Sequence, residues 1–197
     1  MTQATDVLTE FVQVRDVKVR FLRGGEGPPL LYLHGAGLTG IWLPVMEELA
    51  KDFDVLAPDH PGFGQSDRPD WLDGMDDMVY HYLDFLDRMG LDQVNVVGIS
   101  FGGWLAAEMA VMCRHAFSQL ILVDAVGVKP SLGEIADIFI VTPAQVAELA
   151  FYDSKQASEY DQLYGQPLSP EQQMIAERNR EMAARLCWKP YMYDPRL

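Results

Sequence analysis

Alternating hydrophobic and polar residues near the start of the chain predict a β-hairpin. Apolar and polar positions alternate over residues 11–15 and again over residues 17–22, on either side of Asp16. A period of two is typical of strands that have one covered face. We therefore expect two antiparallel strands, followed by a break at the glycine- and proline-rich residues 24–29.

Four short apolar runs then alternate with segments compatible with helices. The runs do not alternate with polar residues, which is typical of strands covered on both faces. These strands are predicted at residues 30–33, 54–58, 94–99 and 120–124. The helices between them are predicted at residues 41–51, 75–89 and 101–113. Strands that alternate with helices predict an α/β protein with a mainly parallel sheet.

The pattern changes after Gly127, where prolines separate helical pieces and no further strand is recognisable. Helices are predicted at residues 134–141, 143–151 and 170–188, the last with a broad apolar face. We therefore divide the chain into an α/β core, residues 1–127, and a helical segment, residues 128–197.

The charge and composition of the chain argue against some classes of binding partner. The chain has 197 residues, 49% of them hydrophobic, and a formal net charge of −14. That charge argues against nucleic acid or an anionic membrane surface as a partner. The two cysteines, Cys113 and Cys187, lack CxxC spacing and are expected to be reduced thiols. With no recognisable signal peptide and no apolar run long enough to cross a bilayer, we expect a cytoplasmic protein.

The strongest chemical signal is Gly98-Ile99-Ser100-Phe101-Gly102, between an apolar strand and a helix. Strand, sharp turn and helix around Gly-x-Ser-x-Gly are typical of a nucleophile elbow. The glycines leave room for the strand and helix backbones to approach, and Ser100 then lies at a helix N-terminus that favours negative charge.

Two further loops follow strands in the same way. His34-Gly35-Ala36-Gly37 follows one apolar run, and residues 59–67 (Asp-His-Pro-Gly-Phe-Gly-Gln-Ser-Asp) follow the next. Together with the hairpin and the elbow, and in this order, they resemble the α/β-hydrolase family from residue 11 to residue 197. The resemblance implies a three-layer, mostly parallel sheet with an N-terminal antiparallel hairpin. The helical segment corresponds to the cap that many members insert after the sixth strand.

The resemblance also assigns roles to individual residues. Ser100 matches the nucleophile, and the backbone N–H groups of Ala36 and Phe101 match the oxyanion hole. His34, Gly35, Gly98 and Gly102 match positions that support these groups. The implied reaction is hydrolysis of a small carbonyl substrate through an acyl-enzyme, without metal or cofactor. Esters, thioesters, lactones and diketone C–C bonds stay open, whereas a serine nucleophile disfavours epoxide hydrolysis and haloalkane dehalogenation.

One departure from the family pattern concerns the base. In the family the order along the chain is serine, acid, histidine. The four histidines here are His34, His60, His81 and His115, and none follows residue 115. We interpret the chain as the N-terminal portion of a longer hydrolase that lacks the last strands and the catalytic histidine. Asp124 is a candidate acid, although a strand-end aspartate more often bonds nearby backbone.

Two expectations follow from that departure. The strand ending at Asp124 would expose an apolar edge, so we expect the chain to self-associate through it or to be poorly soluble. The missing histidine also leaves an alternative function open, a hydrolase-fold binding or scaffold protein without turnover. Trp104, Phe139, Phe151 and Tyr152 are candidate walls of a substrate pocket, with ordinary core packing as the alternative for each.

Overall fold

A six-stranded mixed sheet forms the centre of the molecule. The computed structural model describes residues 4–154 and 156–197. The strands are β1 Leu8–Val14, β2 Val17–Gly24, β3 Pro29–Leu33, β4 Asp54–Pro58, β5 Val94–Ile99 and β6 Phe117–Val123. Their spatial order is β1-β2-β4-β3-β5-β6. The predicted α/β class is confirmed.

The sheet changes from antiparallel to parallel pairing across its width. β1 pairs with β2 as the predicted hairpin, with Val14 opposite Val17, and β2 pairs antiparallel with β4. β4, β3, β5 and β6 run parallel to one another. The loops that follow β3, β4, β5 and β6 therefore leave the same edge of the sheet, where ligands bind in open α/β sheets.

The described residues form six α-helices. They are α1 Pro44–Leu49, α2 Met75–Met89, α3 Phe101–Met112, α4 Pro143–Leu149, α5 Ser158–Tyr164 and α6 Pro170–Leu186. The helix predicted from residue 41 begins later because Leu43 is an extended N-cap and Pro44 occupies the first turn. α2 ends as predicted, with Gly90 in the left-handed region at φ 65°.

Each face of the sheet packs against different helices. Leu31 and Leu33 of β3 point into a large apolar cluster with α2, α3 and part of α6. Leu30 and Tyr32, the alternate residues, point into a smaller cluster with α1. This two-sided burial explains why β3 is apolar at every position rather than at every second one.

β6 is the exception, because it is an edge strand that is largely open to solvent. Leu120, Ile121, Leu122 and Val123 are 38%, 50%, 43% and 37% exposed. The prediction that this strand is covered on both faces is therefore wrong, whereas the predicted exposure of its apolar edge is observed. Among residues 4–154 and 156–197, no strand pairs with its outer edge.

The helical segment differs from its prediction in two places. No helix forms over residues 134–141, because the Asp137 carboxylate accepts the Phe139 N–H at 2.9 Å and competes with helical pairing. α5 was not predicted, since its sequence is mostly polar. Its Tyr160 and Tyr164 rings pack edge-on against Phe151, so an aromatic contact holds the helix in place.

Within the described part of the chain, every helix is too short or too polar to cross a bilayer.

Candidate active site

Ser100 occupies a strained turn between β5 and α3. Its backbone has φ 52° and ψ −114°, a conformation that L-residues rarely adopt. The turn is held on both sides: the Ser100 N–H donates to the Val123 carbonyl at 2.9 Å, and the Trp104 N–H donates to the Ser100 carbonyl at 3.1 Å. This is the backbone geometry of a nucleophile elbow.

The glycines around Ser100 allow three backbones to meet. A Cβ at Gly98 would lie 2.4 Å from the Gly102 carbonyl oxygen, and a Cβ at Gly102 would lie 2.2 Å from the Leu33 carbonyl oxygen. Both distances are far below van der Waals contact, so only glycine fits. The start of α3 is therefore packed directly against the end of β3.

That packing brings the loop after β3 beside the serine. We call residues 34–40 the oxyanion loop. A Cβ built at Gly35 would lie 3.9 Å from Ser100 Oγ. Ala36 follows directly, and Phe101 opens α3, where a first-turn N–H has no intrahelical partner. The structure thus places Gly35, the neighbour of Ala36 in the chain, beside Ser100, and the roles of the Ala36 and Phe101 N–H groups stay predictions.

His34 and His60 form a stacked pair beneath this loop. Their ring centroids are 3.8 Å apart, and the His60 N–H donates to His34 Nε2 at 3.1 Å. His34 Nδ1 therefore carries the proton and donates to the Gly35 carbonyl at 2.5 Å. His60 Nε2 donates to the His34 carbonyl at 3.0 Å, and the Tyr82 hydroxyl donates to His60 Nδ1 at 2.6 Å. Every ring nitrogen is engaged, so neither imidazole is free to serve Ser100.

Burial keeps both imidazoles neutral. Loss of solvent lowers the pKa of His34 and holds the pKa of His60 well below the usual value. The pair therefore fixes the shape of the oxyanion loop by neutral hydrogen bonds rather than by charge.

These lowered pKa values predict acid destabilisation. Unfolded imidazoles bind protons below about pH 6.5, while the folded state resists, so stability should fall as the pH drops below that value. Each buried histidine contributes a slope of up to about 1.4 kcal/mol per pH unit. We expect His60→Gln to flatten the dependence of the unfolding free energy on pH between 7 and 5, measured by urea denaturation.

His115→Gln is the matched control, because His115 is exposed in the short 3₁₀ turn Arg114–Ala116. It removes an imidazole that does not contact the buried pair, so the slope should flatten more in His60→Gln than in this variant. Equal slopes for His60→Gln and the unsubstituted chain would show that His60 titrates normally in the folded state.

The other two histidines lie away from the serine. His81 is buried on α2, where loss of solvent lowers its pKa to about 4, and His115 is on the surface. Within the described part of the chain, no imidazole forms a hydrogen bond with Ser100 Oγ. The described residues thus place the oxyanion loop beside Ser100 and bond no imidazole to its hydroxyl.

Asp124 lies at the same edge of the sheet. It follows β6, with φ 45°, directly after the carbonyl of Val123 that holds the Ser100 N–H. Its side chain is exposed and, among the residues that the structure describes, accepts no hydrogen bond from backbone or side chain. Asp124 therefore stays a prediction as the acid, and local backbone bonding does not occupy it.

The loop of residues 59–67 is built around a buried carboxylate. Asp59 accepts from the Arg20 guanidinium at 3.2 Å and from the Gln65 N–H at 3.0 Å. A Cβ at Gly64, which has φ 50°, would lie 2.3 Å from the same carboxylate. No group of three or more His, Cys, Asp and Glu side chains is placed to bind a metal ion in the described residues.

The candidate pocket aromatics do not form one surface. Trp104 is buried in the core, where its indole N–H donates to Glu108 at 3.0 Å. Phe139 packs against the large core cluster, whereas Tyr152 is fully exposed. Arg178 and Asn179 of α6 were not predicted as site residues. Together, their side chains form hydrogen bonds with the loops that follow β3 and β4. Their only signal in the sequence was their position in an amphipathic helix.

Two curated proteins that are similar to this chain are both hydrolases. The chain is 34% identical over 143 residues to 2-hydroxy-6-oxo-2,4-heptadienoate hydrolase of Pseudomonas putida, covering 70% of this chain and 51% of that protein. It is 39% identical over 119 residues to 2-hydroxymuconate semialdehyde hydrolase of a Pseudomonas species, covering 57% and 42%. The chain thus spans about half the length of these curated relatives.

A solved structure agrees at the level of the fold. The 2-hydroxy-6-oxo-6-phenylhexa-2,4-dienoate hydrolase of a Rhodococcus species superposes with a TM-score of 0.69 at 22% identity, over 97% of this chain and 76% of that one. The family model described as the alpha/beta hydrolase fold matches residues 28–177, most of the chain. This protein therefore belongs to the α/β hydrolase fold family, whose members include hydrolases of meta-cleavage products and of epoxides.

Proposed function

We propose that the chain carries the nucleophile half of a serine hydrolase active site. The observation that supports this most directly is Ser100 at φ 52°, with Gly35 of the oxyanion loop so close that a Cβ built on it would lie 3.9 Å from the Ser100 hydroxyl oxygen. In the proposed reaction Ser100 Oγ attacks a carbonyl carbon while its proton passes to a base. The oxyanion accepts from the N–H groups of Ala36 and Phe101, the leaving group departs with a proton, and water hydrolyses the acyl-enzyme.

We propose a small carbonyl compound as the substrate. The names of the two Pseudomonas relatives favour a C–C bond of a keto-dienoic acid, with esters and thioesters as further candidates. A serine at the elbow argues against epoxide opening, even though a soluble epoxide hydrolase of a Corynebacterium species is 28% identical. Residues 128–197 are proposed as the cap that covers the substrate.

The base is proposed to come from polypeptide that pairs with β6. Three observations support this. The four histidines either bond to other groups or lie away from Ser100, β6 exposes consecutive apolar residues, and the chain matches only about half of each relative's length. A parallel strand added beside β6 would place the loop after it near Ser100, at the same edge of the sheet. Asp124 or a residue of that polypeptide would orient the histidine. Where no such polypeptide is present, the apolar edge is expected to pair with a second copy of the chain.

A binding protein without turnover is the second candidate. The neutral, fully bonded His34–His60 pair favours it, because neither imidazole is then free to act as a base for Ser100.

Chemical rescue of the chain as it exists separates these candidates. Without a base we expect little reaction of Ser100 with a fluorophosphonate probe. Ser100 is partly exposed, so added imidazole is expected to reach it and accept its proton, and the probe should then form an adduct at Ser100. Peptide mass spectrometry locates the adduct.

One outcome would contradict the hydrolase role of Ser100, and another would contradict the absence of a base. Labelling of Ser100 that does not exceed labelling of the exposed Ser118 at any imidazole concentration argues for the binding protein. Rapid labelling without imidazole that Ser100→Ala abolishes shows that the chain already contains a base.

A further inference from the structure

The oxyanion loop is fixed at its two ends and free in the middle. At one end, His34 bonds the Gly35 carbonyl and the His60 N–H. At the other end, Gly40 lies directly over Arg20, since a Cβ there would be 2.5 Å from a guanidinium nitrogen. Nothing lies within 4 Å of a Cβ built at Gly37. The direction of the Ala36 N–H therefore depends on how firmly the end of the loop is held.

Asn179 of α6 supplies a third attachment. Its side-chain amide is 1% exposed and donates to Thr39 Oγ1 at 3.0 Å. The carbonyl oxygen of the same amide accepts the Gly64 N–H at 2.9 Å. One buried side chain thus joins the oxyanion loop to the loop of residues 59–67.

α6 is itself held rigidly on that second loop. The Arg178 guanidinium donates to the carbonyls of Gly62 at 2.9 Å and Ser66 at 2.6 Å. Met182 is fully buried, and a Cβ at Gly62 would lie 2.7 Å from its methyl carbon. Asn179 therefore projects from a fixed surface, and a hydrogen bond from it restrains the loop rather than the helix.

We infer that Asn179 is a positioning residue for the oxyanion hole. Its bond to Thr39 limits the motion of residues 36–38 and so fixes the Ala36 N–H toward Ser100. The helix α6 and the oxyanion loop then move together, so displacement of the helical segment would open the hole. This inference deepens the proposed function and rests on it for the role of the Ala36 N–H.

Thr39→Val tests the inference, because valine has the shape of threonine without the hydroxyl that Asn179 binds. We expect lower NMR order parameters for the backbone amides of Ala36 and Gly37, with those of β5 unchanged. The imidazole-dependent rate of adduct formation at Ser100 should fall about tenfold, part of the effect of losing one oxyanion donor.

Two matched variants separate positioning from general loss of structure. Thr39→Ser keeps the hydroxyl and should restore both readouts. Arg178→Leu removes bonds that hold α6 on the loop of residues 59–67, so it should loosen Gly62 and Gly64 together with Ala36, whereas Thr39→Val should loosen Ala36 and Gly37 without changing Gly62 and Gly64.

The order parameters decide the inference even if Ser100 fails to react. Unchanged values at Ala36 in Thr39→Val, or equal losses throughout β5, overturn the positioning role. A local loss at Ala36 in a chain whose Ser100 never forms an adduct supports the restraint and removes the proposed hydrolase function instead.

Discussion

Gly102→Ala is expected to remove about 3 kcal/mol or more from the free energy of unfolding, a large share of the stability of a typical domain. The added Cβ would lie 2.2 Å from the Leu33 carbonyl oxygen and 2.6 Å from that of His34. Both atoms are backbone at the end of β3, so no flexible side chain can move aside. α3 must separate from the sheet, and the Ser100 turn must change with it.

Gly37→Ala is the matched control, since its Cβ meets nothing within 4 Å. Urea denaturation at pH 7.5 should place Gly37→Ala within about 0.5 kcal/mol of the unsubstituted chain, as for an ordinary surface substitution. A Gly102→Ala variant equally close to it would show that the start of α3 does not pack against β3.

Short-range sequence signals were sufficient for the elements that form the elbow. The apolar run before Gly98 predicted β5, and the two glycines predicted the close approach of β5 and α3, whereas the contact of α3 with the end of β3 was not predicted. These predictions succeed because steric exclusion depends on neighbouring residues. The prediction of a helix over residues 134–141 is wrong because the Asp137 carboxylate accepts the Phe139 N–H. Hydrophobic periodicity does not reveal a hydrogen bond of this kind.

Long-range relations were beyond the sequence. The apolar residues of β6 predicted a covered strand, but coverage depends on which other elements reach it. The sequence also does not show that His60 bonds to His34 and Tyr82 and is therefore not free to act as a base. Asn179 joins residues 140 positions away at Thr39, and no local pattern indicates such a contact.

Pairing of β6 with a complementary polypeptide is expected to raise the reaction rate of Ser100 by about 10²–10⁴-fold, the usual contribution of a positioned general base. The part of the Pseudomonas putida relative that this chain does not match is a suitable partner, since this chain matches 51% of that protein. A strand of that part paired with β6 would cover its apolar residues, and the loop after this strand would lie at the edge of the sheet where Ser100 lies.

Ile121→Asp provides the control for this association. Ile121 is 50% exposed in the chain alone, so a carboxylate there should cost little stability. In the complex the same carboxylate would be buried without a partner, and association should be lost. Association that persists in Ile121→Asp would place the contact away from β6.

The role of Ser100 as the nucleophile is tested most directly by the rate at which a fluorophosphonate modifies it in the purified one-to-one complex. Intact-protein and peptide mass spectrometry follow the reaction. We expect a single adduct at Ser100 that forms at least about a hundredfold faster than in the chain alone and is absent in Ser100→Ala. An adduct at another residue, or a stable complex in which Ser100 reacts no faster than it does in the isolated chain, would contradict the assignment of Ser100 as the nucleophile awaiting its base.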